Sequence, residues 1–469
     1  MPQPAQCSGG CVAHLHFLAV LLSSLPVMRH ANALDSLYDL VTGDEDARVC
    51  KDIPAASCND QPRNFFAYLL ANLLTKVADE LASAKLLLPW LFGALGAPAL
   101  LVGFLVPIRE AGVLLPQLAV AAVIRQRPLR KPVWILGALL SAVALALMAV
   151  TAGSLRGAAA GWVMLSLLVL FSLSRGLCSV SAKDVLGKTV SKSRRGRLMG
   201  LSAGIAGVMT LGVGFYLEFL APSDAGIGVF VALLAGAAVF FVLSALVFQG
   251  ILEQPGATSG GGNALQTAIE SIGLLKTDPL FLRFVLVRIA LLSVALTAPF
   301  YVLLAQQHSD GALTGLGLLI IASGLASSIS APLWGWLSDR SARWVMVLAA
   351  GMAGALGLVT WLLAHSEAAF WLGNPLAFAG IFLLLGIAHA GVRIGRKVYL
   401  VDMASAEQRA AMVAVSNTVI GVAMLLAGPV GLLGDSYGPA LVVLVLGVGA
   451  LVAAGLALGL REVSEPDGG

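Results

Sequence analysis

Six charged residues crowd one otherwise apolar stretch of the chain: Lys76, Asp79, Glu80, Lys85, Arg109 and Glu110. Asn72, Lys76, Asp79 and Ser83 follow a spacing of 4, 3 and 4 residues, which puts them on one stripe of a helix. A carboxylate on such a stripe can take up and release a proton. A neighbouring base can attract an anionic group or hold the carboxylate until the proton arrives. In hydrocarbon each such charge is expensive unless it is paired or faces a water-filled cavity. At 1.5 Å per residue, Asp79 lies about 22 Å along its helix, and Arg109 on a descending second helix lies at nearly the same height. The heights allow an Asp79–Arg109 pair and a Lys76–Glu110 pair. Static pairs that merely tie two helices together would use the same residues, so proton chemistry and a structural clamp both fit. Gln117 is expected to line the same vestibule and Arg288 to serve it from the second half of the chain, with interfacial snorkelling the alternative for Arg288.

Other constellations carry less. The histidines at 14, 16, 30, 308, 365 and 389 are scattered without metal spacing, so neither a metal site nor any other cofactor is expected. His389 is either a cavity residue or a packed one. The cysteines at 7, 11, 50, 58 and 178 show no metal spacing; they are read as reduced thiols, although Cys50 and Cys58 would pair if their segment were extracellular. The run Ala182-Lys-Asp-Val-Leu-Gly187-Lys188-Thr189 lacks only the first glycine of a phosphate-binding loop. Such a loop needs a strand before it and a helix after it in an α/β domain, and here it falls between two apolar blocks. No nucleotide site and no enzyme constellation follow.

The elements that must position these residues are membrane spans. With 58% hydrophobic and 12% charged residues and a mean hydropathy of +0.91, the 469-residue chain cannot be an ordinary soluble domain. Its apolar blocks predict an all-α membrane protein of twelve transmembrane helices, at about 64–91, 98–124, 133–152, 158–181, 198–220, 227–249, 281–305, 312–337, 344–364, 376–395, 411–434 and 440–460. A Gly/Ser-rich connector divides them into six-helix bundles at 64–249 and 281–460, with a cytoplasmic linker at 250–280. Of the 29 Lys and Arg residues, 23 fall in the tails and even-numbered connections, counting Arg283 and Arg393 at the adjoining span ends with them, and only Arg156 in the odd-numbered ones. That asymmetry places residues 1–63, the linker and the tail 461–469 in the cytoplasm, in a plasma (inner) membrane. The excess of bases therefore marks a bilayer side and implies no nucleic-acid partner. Eight tryptophans at predicted span ends read as an aromatic belt. The halves repeat at an offset of 214 residues, so that Gly207, Val208, Leu211 and Gly214 fall on Gly421, Val422, Leu425 and Gly428. Residues 11–27 are apolar and precede Ala31-Asn32-Ala33; they read as a start placed too early, with Met28 the true one, as a cleaved signal, or as a further helix.

The segment Pro332-Leu-Trp-Gly335-Trp-Leu-Ser-Asp339-Arg340-Ser-Ala-Arg343 resembles the G-x-x-x-D-R-x-x-R signature of the major facilitator superfamily. With the topology and the repeat, the resemblance covers about residues 62–462. It implies a secondary transporter fold in which two six-helix pseudo-repeats rock about a midplane site, and a cytoplasmic gate at Gly335, Asp339, Arg340 and Arg343. Gly335 would permit close helix approach, and Asp339 would face Arg195 or Arg197. Between spans two and three the signature is absent, and Arg125 stands at the slot of Asp339 by the repeat offset; Glu407 is its expected partner. The family's Gly-Pro-x-x-Gly-Gly antiporter signature is missing from span five, and Arg175 only loosely resembles the family's helix-four arginine.

These readings predict a monomeric, proton-coupled carrier of a small polar or amphipathic solute, held in the lipid bilayer. A lipid scramblase or scaffold on the same fold is the alternative. The charge-swapped gate predicts that Arg125→Glu and Glu407→Arg each abolish solute flux in proteoliposomes while the double variant regains it; additive loss would end the idea.

Overall fold

The computed structural model describes residues 55–115, 126–221, 226–256, 273–308, 314–405 and 408–463, with residues 37, 38, 40, 41, 53 and 124. Residues 1–36, Gln117, Arg125, Glu407 and the linker stretch 257–272 lie outside this description. The described regular structure is helical throughout. The helices are α1 (Gln61–Leu81), α2 (Leu87–Ala94), α3 (Ala99–Gly103), α4 (Leu105–Leu114), α5 (Lys131–Ser154), α6 (Gly157–Thr189), α7 (Lys192–Phe219) and α8 (Gly226–Gln249) in the first half. The second half holds α9 (Pro279–Ala290), α10 (Leu292–His308), α11 (Thr314–Ser338), α12 (Ala342–Ala364), α13 (Pro375–Met403), α14 (Arg409–Ala427), α15 (Gly431–Tyr437) and α16 (Pro439–Leu458).

Among the described residues, 10 helical stretches are long and apolar enough to cross a membrane. They comprise α5 to α8, Pro279–His308, Gly315–Ser338, α12, α13, Ala411–Tyr437 and α16. The segment from α1 to α4 is not among them because it is charged and broken. Both breaks have a cause in sequence. A proline inside a helix clashes with the carbonyl four residues earlier and offers no N–H to it. Pro89 does this to Lys85, and α1 stops at Leu81 while α2 resumes at Leu87. Pro107 does it to Gly103, and α3 ends there, with Phe104 between it and α4.

Capping residues set several helix starts. Asp278 accepts from the N–H groups of Leu280 and Phe281, both at 3.0 Å, ahead of Pro279. Asn374 does the same for Leu376 and Ala377 at 3.0 and 3.2 Å, and Ser341 for Trp344 at 3.2 Å. Three helices outrun their apolar blocks: α6 continues to Thr189, α13 to Met403, and α7 already begins at Lys192. Hydropathy marks the membrane, not the end of a helix, and these extensions carry bases.

Small residues let the helices close up. A Cβ at Gly447 of α16 would stand 3.1 Å from the Cα of Gly357 in α12. The tryptophans divide. Trp162, Trp336, Trp344 and Trp371 are exposed as a belt requires, whereas Trp90, Trp134 and Trp334 are buried. Trp134 stacks on Phe248 at 3.8 Å, and Trp334 donates to the Ile387 carbonyl at 2.9 Å. Cys178 is free and buried, while Cys58, expected as a reduced thiol, is disulfide-bonded.

The two halves meet closely at one end of the bundle. There the Asp435 carboxylate of α15 accepts from the N–H groups of Ala99 and Leu100 at 2.6 and 2.9 Å, capping α3. Gln306 of α10 donates to the Trp90 carbonyl at 3.2 Å, and Glu218 of α7 accepts from Leu318 N–H at 3.2 Å. Glycines make this joint possible: a Cβ at Gly431 would lie 2.4 Å from the Ala99 carbonyl oxygen, and one at Gly103 2.5 Å from that of Gly428. The opposite end carries the bases of α6, α7 and α12, and is called the basic end below. Gly335, expected to permit close approach there, would meet nothing within 4 Å if it carried a Cβ.

Gly431→Ala should therefore lower the thermal-unfolding midpoint in detergent, at a cost of about 1–3 kcal/mol for overpacking against backbone. Gly335→Ala should be neutral, or stabilise by up to about 1 kcal/mol through helix propensity. Equal effects at the two positions would contradict the joint.

Candidate functional site

Two turns of α1 before its break, and the break itself, supply most of the site's first-half groups. Asp79 sits in the last turn of α1, between two guanidinium groups. Its Oδ1 accepts from Arg109 Nη2 of α4 at 3.0 Å and from Arg175 Nε of α6 at 3.1 Å. Its Oδ2 accepts from Arg175 Nη2 at 2.7 Å, so the Arg175 fork is bidentate. Each guanidinium also lies over an aromatic ring, Arg109 on Phe171 at 5.0 Å and Arg175 on Phe241 at 5.2 Å. The three charged side chains are only 17–24% exposed. One carboxylate thus holds three helices together through two cations, leaving the cluster with one excess positive charge.

This clasp borders a cavity of about 430 Å³, a volume within the ordinary range for small-molecule sites. Its wall comes from both halves. Asp79, Glu80, Ser83, Lys85, Arg109, Glu110 and Thr210 belong to the first, and Ser323, Ser327, Phe382, His389 and Arg393 to the second. The α1–α2 break faces it directly through Ser83, Ala84, Lys85 and Leu86. Irregular backbone at membrane depth is tolerated where it lines a cavity. Lys85 lies 3.7 Å from Glu110 Oε1 and 3.3 Å from His389 Nε2. A lysine ammonium has donors only, so His389 accepts through Nε2 and is neutral, with its proton on Nδ1.

The expected residues divide accordingly. Asp79 and Arg109 pair as their heights implied, and Glu80 and Glu110 line the cavity. The Lys76–Glu110 pair does not form: Glu110 is taken by Lys85, and Lys76 has no ion pair or side-chain hydrogen bond among the described residues. The break in α1 explains the exchange, because it turns Lys85 back towards the level of Glu110. Asn72 donates to Ser202 of α7 at 2.7 Å and ties two helices outside the cavity. Arg288 is buried behind the wall, donating to Ser416 and, at 3.4 Å, to Asn417 of α14, with its face on Phe284. Gln117 lies outside the described residues.

At the basic end, Asp339 is exposed and makes no ion pair among the described residues. Arg195 instead donates to the Val190 and Gly187 carbonyls, both at 2.9 Å, closing the end of α6. Arg340 lies 3.7 Å over Trp336, and Arg343 pairs with Glu462 at 3.4 Å and donates to the Leu460 carbonyl at 3.1 Å. Gly335 lies on the same turn. Arg125 and Glu407 lie outside the described residues. The phosphate-loop lookalike at 182–189 is the end of α6, not a loop after a strand.

Arg393 escaped the sequence reading because it sits at the very end of a block bounded near 395 and groups with Arg396 and Lys397 of the connection that follows. The signal was the helical period itself. Phe382, Leu385, Gly386, His389, Ala390 and Arg393 recur at three- and four-residue steps, one face of a continuous helix.

The sequence model of the Major Facilitator Superfamily matches residues 65–381 and 289–469, and the chain belongs to that superfamily of membrane transporters. No curated protein sequence matches it. Among solved structures it is similar to a mutant of the nucleoside transporter NupG, with TM-score 0.67 and 13% identity over 84% of this chain and 99% of that one. A D-xylose–proton symporter gives TM-score 0.65 and 12% identity, over 86% of this chain and 98% of that chain. A POT family transporter in complex with 5-aminolevulinic acid gives TM-score 0.64 and 13% identity, over 85% and 96%. At such identity the likeness is one of fold.

The clasp predicts unequal costs of neutralisation. Asp79→Asn leaves two arginines facing each other and should lower stability by about 1–3 kcal/mol, below the 3–5 of a fully buried pair because the cluster is partly exposed. Lys85→Gln, from a looser and more exposed pair, should cost less than about 1 kcal/mol. Thermal unfolding in detergent reads both; a Lys85 effect equal to that of Asp79 would refute the ranking.

Proposed function

We propose that the chain is a proton-coupled secondary transporter that carries a small polar or amphipathic solute through the central cavity by alternating access. The observation that carries this reading is Asp79, clasped between Arg109 and Arg175 on the wall of a cavity to which both halves contribute. An ionised Asp79 binds α1 to α4 and α6. A protonated one loses most of that attraction and frees two guanidinium groups that lie against aromatic rings. The protonation state therefore sets how tightly three first-half helices hold together, and a solute charge entering the cavity competes for the same groups.

In this reading the two charged, proline-broken spans at 64–91 and 98–124 join the ten apolar stretches to make twelve, in bundles 64–249 and 281–460. The repeat is supported by Arg175 and His389, which stand 214 residues apart: Arg175 holds Asp79 on the cavity wall, and His389 lines the cavity itself. The imbalance of bases supports a plasma (inner) membrane location with both tails cytoplasmic, while the Cys58 disulfide argues for an oxidising compartment around the N-terminal segment. The basic end is then the cytoplasmic one. The joint of Asp435 with α3 then lies on the outside, and Asp339, which makes no ion pair among the described residues, belongs to the cytoplasmic gate.

The test is solute accumulation in proteoliposomes. One proton per solute across one pH unit supplies about 1.4 kcal/mol, enough for about tenfold accumulation. The wild type should approach that ratio and collapse to equality with a protonophore. Asp79→Asn should still exchange solute across the membrane but not accumulate it. Gradient-driven accumulation by Asp79→Asn at the wild-type level would refute the coupling role.

A further inference from the structure

The charges on the cavity wall are not all accounted for by one another. Asp79 is satisfied by three N–H groups from two arginines, and Lys85 is shared between Glu110 and His389. Two remain. Glu80, at the end of α1, and Arg393, on α13, both line the cavity and are both exposed. Neither takes part in an ion pair or side-chain hydrogen bond among the described residues. They come from opposite halves and bear opposite charge, yet they do not close on each other.

Unpaired charges at membrane depth persist where water or a ligand meets them. A neutral sugar-like solute would compensate neither group. A simple anion would answer Arg393 and be repelled by Glu80. A simple cation would meet Arg393 and the excess positive charge of the clasp. A solute with a separated cation and anion answers both. Besides the hydroxyls of Ser83, Thr210, Ser323 and Ser327, the wall offers an apolar patch: Leu86 and Leu87 from the first half, Val294, Phe382 and Leu385 from the second.

We infer that the solute is a small zwitterion of the amino-acid or short-peptide class, with its ammonium on Glu80, its carboxylate on the Arg393 fork and an apolar substituent against Phe382 and the leucines. This deepens the transport reading above and rests on it. Arginine suits the carboxylate because its planar fork accepts two parallel hydrogen bonds. A ligand held this way spans the two halves, so its binding energy is available to draw α1 and α13 together.

The test uses the purified full chain and defined probes: L-leucine, L-phenylalanine and the dipeptide of alanine and phenylalanine, their methyl esters, their N-acetyl derivatives, and xylose and uridine as uncharged controls. Binding is read as thermal stabilisation over a concentration series. At least one free zwitterion should bind, and blocking either end should weaken it about tenfold or more, the scale of one lost charge-assisted hydrogen bond. In Arg393→Gln the ester should bind as well as the free acid, and in Glu80→Gln the N-acetyl form should bind as well as the free amine. That selective loss of discrimination cannot come from a folding defect. Failure of every zwitterion to bind, equal binding of blocked forms by the wild type, or tighter binding of xylose or uridine would overturn the inference. A zwitterion that binds but shows no flux in proteoliposomes would overturn the transport reading alone. Gradient-driven flux of an uncharged solute would overturn the zwitterion alone.

Discussion

An ionised carboxylate inside a membrane bundle is stable only with cations fixed around it, and the geometry of Asp79 with Arg109 and Arg175 follows from that demand. One carboxylate faces two guanidinium groups because each arginine has a second anchor, a ring of Phe171 or Phe241 against its flat face. The clasp draws α1, α4 and α6 to one point, and the cavity opens beside it. In the proposed transport cycle a proton placed on Asp79 would release both cations at once. Lys85, Glu110 and His389 form a looser set on the same wall, with longer contacts and more exposure. The strong set is suited to switching and the loose set to shaping the field around a solute.

The joint between the halves is of another kind. At the end opposite the bases it is made of backbone: glycines at 103, 428 and 431 let chains touch, and the Asp435 carboxylate caps the first turn of α3. Such a contact is firm in place yet has little buried charge to desolvate on parting. At the basic end Asp339 makes no ion pair among the described residues, Arg195 donates to carbonyls at the end of α6, and Arg343 pairs with Glu462. The proposed rocking of the halves would pivot on the backbone joint.

Much of this was legible in the residues. Block lengths marked the ten apolar stretches, and the spacing from Asn72 to Ser83 with the height of Arg109 located the Asp79–Arg109 pair. What escaped depended on three-dimensional detail that periodicity does not carry. Pro89 breaks the first span and redirects Lys85 to Glu110, so the expected Lys76 pair is replaced. The bases after His389 looked like a loop because hydropathy falls there, although α13 runs on and brings Arg393 to the cavity. Arg175 lacked the family's flanking residues, but its place on α6 against Asp79 mattered more than its neighbours in sequence. Three tryptophans assigned to a belt are packed inside, since an indole near a span end serves either role. Arg288 is held by Ser416 and Asn417 behind the wall, a partnership between distant segments that no spacing foretells.

The central claim is that Asp79 is the group that takes the proton. Infrared difference spectroscopy on the purified protein, across a pH titration, follows the C=O band of a protonated carboxylic acid. The account predicts a band that is lost in Asp79→Asn and retained in Glu110→Gln. A titration spectrum left unchanged by Asp79→Asn would contradict it.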